Sequence, residues 1–300
     1  MRKTMSIADW IEGLAPSGRY TFSKQDVRKA FPAMSAPTVD TALHRAVTKG
    51  RVFSPCRGFY VVVPEEYRLW KAVPQEVYLD RMMLYLQRKY YVSLLSAAER
   101  HGAAHQAPMG FQVMVEPPVL RDKEREGYAI RYAERREIPM TYVQRLEVPA
   151  GWLNISGPEL TAVDLVAYPE HIGGLTRAAT VLEELSLKLD FTKLDASFIK
   201  VASAPVFQRM GYLLDRVLEE ESIADGLLAL MKSGGMKMKA VPLRLGASFD
   251  DAEVDRKWKV VVNQDIEIDD NPSSSRRNTT IPSSSAYSRQ MWAPAAPQRP

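Results

Sequence analysis

The stretch "SAPTVDTALHRAVTKGRVFSPCRGFYVVV", Ser35–Val63, changes its apolar period at Gly50. Before it, Val39, Ala42, Leu43, Ala46 and Val47 recur every three or four positions, the spacing of a helix with one buried face. After it, apolar and polar residues alternate around a Pro/Gly-containing turn at "PCRG", the pattern of a hairpin. Ser35 is placed to cap the helix, and Pro37 falls in the first turn, where its missing N–H costs nothing. Gly50 supplies a left-handed stop. The face opposite the apolar stripe carries Thr38, Thr41, Arg45 and Thr48, flanked by His44 and Lys49. Short hydroxyls beside one guanidinium match what base edges and phosphates offer as partners.

Upstream, the spacing predicts two more helices. Ile7, Trp10, Ile11 and Leu14 form a single stripe that ends at "APSG". Ser23 and Asp26 then stand as a capping box, with Phe22 able to staple onto Val27. Lys24 and Arg28 share the outer face of this second helix. Three helices followed by a basic hairpin predict a winged helix-turn-helix over residues 1–63. Its third helix would enter a major groove, with Thr38, Thr41, Arg45 and Thr48 toward the bases. Lys24, Arg28, Lys49, Arg51 and the wing residue Arg57 would hold phosphates.

Charge agrees with a polyanionic partner. Residues 1–63 hold ten Lys/Arg against four Asp/Glu, giving +6 within a chain whose net charge is +4. The remainder therefore sums to −2. The basic excess lies in the first fifth of the chain, as a nucleic-acid module would have it. A winged helix can also serve purely as a protein-interaction module, and that alternative predicts little or no specific DNA binding.

The rest of the chain, 300 residues in all, is long enough for a second core. "VPEEYRLWKAVPQ" reads as a linker, residues 64–75. Residues 76–270 mix strands such as "FQVMV" and "GYAIRY" with helical runs such as "LTRAATVLEELSLKL" and "PVFQRMGYLLDRVLEEE". A second capping box is expected at Ser156 and Glu159. The predicted class is α+β: a winged helix-turn-helix followed by a larger mixed α/β second domain. Residues 271–300, rich in Ser and Pro and poor in aliphatics, are expected to form a disordered tail.

Several function classes lack their residues. No apolar run approaches about 18 residues, the length of a transmembrane helix. Asp9 and Glu12 fall where a signal peptide would be apolar, and Cys56 is the single cysteine. A cytoplasmic protein without disulfides is expected. His101 and His105 have helical metal spacing, but Gly102 interrupts them. Gly234 and Gly235 with Asp265 and Glu267 hold the halves of a nucleotidyltransferase motif, too far apart in sequence. No phosphate-binding or nucleophile-elbow motif is present. The segment Arg121–Glu147 balances seven basic against six acidic residues, which predicts a salted surface, unless Arg131, Arg135 and Arg136 gather on one face. No catalytic residue, cofactor, metal or membrane is expected.

Three blocks carry a resemblance. "LHRAVTKGRVFSPCRGFYVV" looks like the winged helix of AbiEi-type antitoxins of bacterial abortive-infection systems. "YYVSLLSAAERHGAAHQAPMGFQVMV" resembles the start of their second domain, and "SGPELTAVDLVAYPEHIGGLTRAATVLEEL" its following helices. The resemblance spans about residues 1–270. It implies a transcriptional autorepressor that binds inverted repeats upstream of its own operon. It further implies that the second domain counters a nucleotidyltransferase-type toxin by an indirect route, with no residue assigned to that task. The alternative is direct sequestration of the toxin.

Overall fold

The computed structural model describes residues 5–68, 73–103, 110–125, 128–247, 252–266 and 268. The chain divides into two units, Met1–Glu267 and Ile268–Pro300. The expected tail, His105 and Glu267 lie outside the described residues.

The N-terminal elements are α1 (Ile7–Glu12), β1 (Thr21–Ser23), α2 (Lys24–Ala30), α3 (Ala36–Thr48), β2 (Val52–Cys56) and β3 (Phe59–Val62). Both N-terminal capping boxes form, Ser6 with Asp9 and Ser23 with Asp26, so each helix start is fixed by its own sequence. The strands pair antiparallel in the order β1-β3-β2. Ile7, Ile11, Phe22, Val27, Val39, Leu43, Val52 and Val62 close one core among these elements.

Next come α4 (Glu65–Arg68), α5 (Leu79–Tyr85), β4 (Tyr90–Val92), α6 (Leu94–Arg100), β5 (Phe111–Val115), β6 (Lys123–Arg125), β7 (Tyr128–Glu134), β8 (Val143–Val148) and β9 (Gly151–Ser156). The six strands β4 to β9 form one mixed sheet in the order β6-β7-β5-β4-β9-β8. Strand alternation sorts its residues onto two faces. Val92, Val113, Ile130, Leu153 and Ile155 share a second core with Leu79, Met82 and Met83 of α5. Phe53, Phe59, Val61 and Val63 of the N-terminal hairpin belong to that same core. Tyr91 points to the opposite face, where its hydroxyl reaches a helix of the layer described next.

That layer contains α7 (Pro158–Ala167), α8 (Leu175–Leu185), α9 (Ala204–Tyr212) and α10 (Glu221–Ser233). The helical run expected from Pro205 to Glu221 is broken. A π-helical turn over Leu213–Val217 follows α9, and α10 starts afresh at Glu221. The capping box expected at Ser156 does not form, because Gly157 is the N-cap. The Ser156 hydroxyl is instead hydrogen-bonded to Thr161, and Glu159 accepts from the Asp190 N–H.

A small sheet of β10 (Val241–Pro242), β11 (Glu253–Asp255) and β12 (Val260–Val262) completes the described fold. The fully buried Trp258 ties it to the helices. Its indole N–H donates to Asp215 at 2.8 Å, and its carbonyl accepts from Gln208 at 2.8 Å. A Cβ on Gly211 would lie 2.0 Å from the indole carbon Cζ3. Gly211→Ala is therefore expected to destabilise the fold by about 1–3 kcal/mol through overpacking, although alanine is the better helix former. Urea unfolding checks this; an unchanged or raised midpoint would contradict the packing described.

Candidate nucleic-acid interface

Local sequence sets the orientation of α3. The Ser35 side chain accepts from the Thr38 N–H, and Pro37 occupies the first turn. Gly50, at φ +66°, turns the chain into β2. Val39, Leu43 and Ala46 face the N-terminal core, which leaves Thr38, Thr41, Arg45 and Thr48 exposed, with His44 and Lys49 beside them.

The threonines are not free rotors. Thr41 Oγ1 donates to the Pro37 carbonyl at 2.9 Å, and Thr48 Oγ1 donates to the His44 carbonyl at 3.0 Å. Thr38 Oγ1 is hydrogen-bonded to Ser35 Oγ at 2.8 Å. With the Thr41 and Thr48 protons engaged within the helix, these side chains present acceptor lone pairs and methyl groups outward. Such a surface can accept from the amino groups of adenine or cytosine, or pack on a thymine methyl, while Arg45 supplies donors.

The candidate phosphate-holding cations divide into two sets. Lys24 is ion-paired with Asp40, and Arg51 with Glu12 at 2.5 Å. Exposed pairs of this kind are worth about 0–1 kcal/mol, so a phosphate can replace either acid. Arg28, Arg45, Lys49 and Arg57 have no ion-pair partner among the described residues. Arg57 stands at the hairpin tip. The turn is tighter than expected: Pro55 and Cys56 belong to β2, and the strands meet across Arg57 and Gly58. Lys24, Arg28, Arg57, Gly58, Tyr60 and Tyr85 line a cleft of about 600 Å³ between α2 and this tip.

The arginines of the later segment do not gather. Arg131 pairs with Asp122 and Glu124. Arg135 is buried beneath the sheet, ion-paired with Asp164 of α7, and donates to the Val201 carbonyl at 2.8 Å. The Tyr91 hydroxyl donates to the other Asp164 oxygen at 2.9 Å, while Arg135 Nε has no partner among the described residues. Burial pushes the Asp164 carboxyl up to about 6 despite the pull of Arg135 and Tyr91. A signal for this site was present in α7, whose "LTAVDLVA" sets an aspartate among apolar residues on every side.

The remaining candidates are structural in their contacts. Cys56 is pushed up to about 11 by burial, so it carries a protonated thiol at neutral pH. Burial holds His101 below its ordinary value, and its Nε2 is hydrogen-bonded to the Ser156 carbonyl. Gly234 and Gly235 follow α10, whereas Asp265 lies beyond β12. Among the described residues no cluster of three metal-ligating side chains occurs, and no helix is long and apolar enough to cross a membrane.

The family model of the AbiEi antitoxin C-terminal domain matches residues 91–216. That span runs from Tyr91 in β4 to Arg216 and includes the Arg135–Asp164 pair. The fold is similar to the crystal structure of the RV2827C protein from Mycobacterium tuberculosis, with a TM-score of 0.61 and 16% identity. That likeness covers 85% of this chain and 90% of the other, and at such identity it concerns fold alone. No curated protein matches the sequence.

The buried pair generates two expectations. Asp164→Ala strands the Arg135 charge and should cost about 3–5 kcal/mol, whereas the Arg135→Met/Asp164→Leu double variant should recover most of it. The Asp164 pKa lies above its unfolded value of about 4. Its contribution to stability is therefore fully present below pH 4 and lost as pH rises through about 6. Urea midpoints from pH 4 to 7 should show this component in the wild-type chain and lack it in Asp164→Asn. Parallel profiles would remove the assignment.

Proposed function

We propose that the chain, whose residues 91–216 match the AbiEi antitoxin C-terminal domain, is a cytoplasmic antitoxin that also represses its own operon through a winged helix-turn-helix at residues 1–63. α1, α2 and α3 are its helices, and the β2–β3 hairpin is its wing. α3 lies in the major groove: Arg45 donates to a guanine, and Thr38, Thr41 and Thr48 offer acceptors and methyls to neighbouring bases. Lys24, Arg28, Lys49, Arg51 and Arg57 hold the flanking phosphates. The toxin it counters is of the nucleotidyltransferase type, as the family resemblance implies. The observation that carries the DNA-binding reading is the pairing of an exposed Thr/Arg face on α3 with an Arg57 that no acid neutralises among the described residues.

Fluorescence anisotropy on a duplex from immediately upstream of the gene, with a scrambled duplex as control, tests it. The native duplex should bind at least about tenfold tighter, which corresponds to roughly 1.4 kcal/mol. Contact with six to eight phosphates, by estimate, gives a log–log salt slope of about 0.9 per contact. Arg45→Ala should cost about 1–3 kcal/mol on the native duplex and little on the scrambled one. Equal weak binding to both duplexes would leave the protein-interaction reading, direct capture of the toxin, in its place.

A further inference from the structure

The wing does not belong to the N-terminal core alone. Cross-strand neighbours Val52 and Val62 face that core, while Phe53 and Val61, the next pair along, face the core under the six-stranded sheet. Two ring contacts reinforce the second attachment. Phe53 meets Tyr78 at 5.4 Å between ring centroids, and Phe59 meets Tyr85 of α5 at 5.4 Å. At the tip, the Tyr85 hydroxyl donates to the Arg57 carbonyl at 3.2 Å. Gly58, at φ +79°, is approached so closely that a Cβ there would lie 2.7 Å from the Tyr85 oxygen.

A two-residue turn is ordinarily the part of a hairpin that moves most, because few buried contacts hold it. Here its backbone is gripped twice, from α2 and from α5, an element outside residues 1–63. Tyr85 is 43% exposed, and it lines the cleft that Lys24, Arg28 and Arg57 also line. The two carbonyls of the turn have different holders: Gly58 accepts from the Lys24 N–H of α2 at 2.8 Å, and Arg57 accepts from Tyr85.

We propose that Tyr85 is a positioning residue for DNA binding: by gripping the Arg57 carbonyl and packing on Phe59, it holds the wing tip where the Arg57 guanidinium meets a backbone phosphate. A part of the chain beyond residues 1–63 thereby sets part of the operator affinity. This rests on the DNA-binding reading and adds to it a contribution from α5. Fixing the tip before binding removes an ordering cost that the complex would otherwise carry.

The test uses the full chain and the same two duplexes, with Tyr85→Phe, Arg57→Ala and the double variant. Tyr85→Phe removes one hydroxyl and keeps the ring on Phe59. It should weaken binding about three- to tenfold, the effect of losing one hydrogen bond. The loss should be similar on native and scrambled duplexes, because the contact is to phosphate. Arg57→Ala should lower the salt slope by about 0.9, the effect of one phosphate contact. Tyr85→Phe should lower the slope in the same direction. The double variant should bind no worse than Arg57→Ala alone, since both changes remove one interaction. A merely structural Tyr85 would lower Tm and leave the salt slope in place, and its loss would add to that of Arg57→Ala. Either of those results, or wild-type affinity in Tyr85→Phe, overturns the proposal. Should the wild-type chain fail to bind the native duplex at all, the DNA reading itself falls, an outcome visible before any variant is made.

Discussion

The β2–β3 hairpin is apolar on both faces, and a two-sided strand pair must find cover on both. Val52 and Val62 are covered by the three N-terminal helices; Phe53, Phe59, Val61 and Val63 are covered by α5 and the large sheet. Burying such side chains contributes about 1.5–3 kcal/mol each. Four of them on one face make separation of the hairpin from the sheet prohibitive for a chain of ordinary stability. The orientation of α3 follows from this, because Gly50 delivers the chain from α3 directly into β2. The basic surface is thus oriented by a face that never touches it.

Electrostatics divides the molecule differently from packing. Among the described residues of the N-terminal part, cations are exposed or half-exposed, and either unpaired or held by single surface acids such as Asp40 and Glu12. Under the sheet, the Arg135–Asp164 pair is buried, shared with Tyr91 and Val201, and without a partner at Nε among the described residues. Charges of the first kind exchange partners readily, whereas those of the second kind fix how α7 sits on β4 and β7. Readily exchanged charges and the buried pair therefore occupy separate places in the chain.

Features decided within a few residues were legible in the sequence. The Ser23–Asp26 box, the two faces of α3 and the Gly50 stop depend on neighbours no more than four positions away, and each forms as its spacing predicts. What depended on distant partners was not legible. β1 is three residues long and exists because β3, nearly forty positions on, pairs with it. Ser156 and Glu159 have capping-box spacing, yet Thr161 and Asp190 compete successfully for their side chains. The π-helical turn at Leu213–Val217 brings Asp215 to Trp258, a partner 43 residues away that no local pattern could announce. The free and paired cations of the candidate interface divide on the same ground, since Asp40 and Glu12 reach their partners through folding.

The two-faced hairpin also orders events during synthesis. Phe53, Phe59, Val61 and Val63 leave the ribosome early, whereas Leu153 and Ile155, which share their core, follow some ninety residues later. At about 5–20 residues per second, that interval lasts several seconds or more. In the first part of it, until α5 emerges, the nascent hairpin shows a greasy, strand-shaped flank to its surroundings, the kind of surface chaperones bind. A chain cut short before α5 would keep that flank bare, so very early termination or proteolysis leaves a fragment with an uncovered apolar face instead of a free-standing N-terminal module.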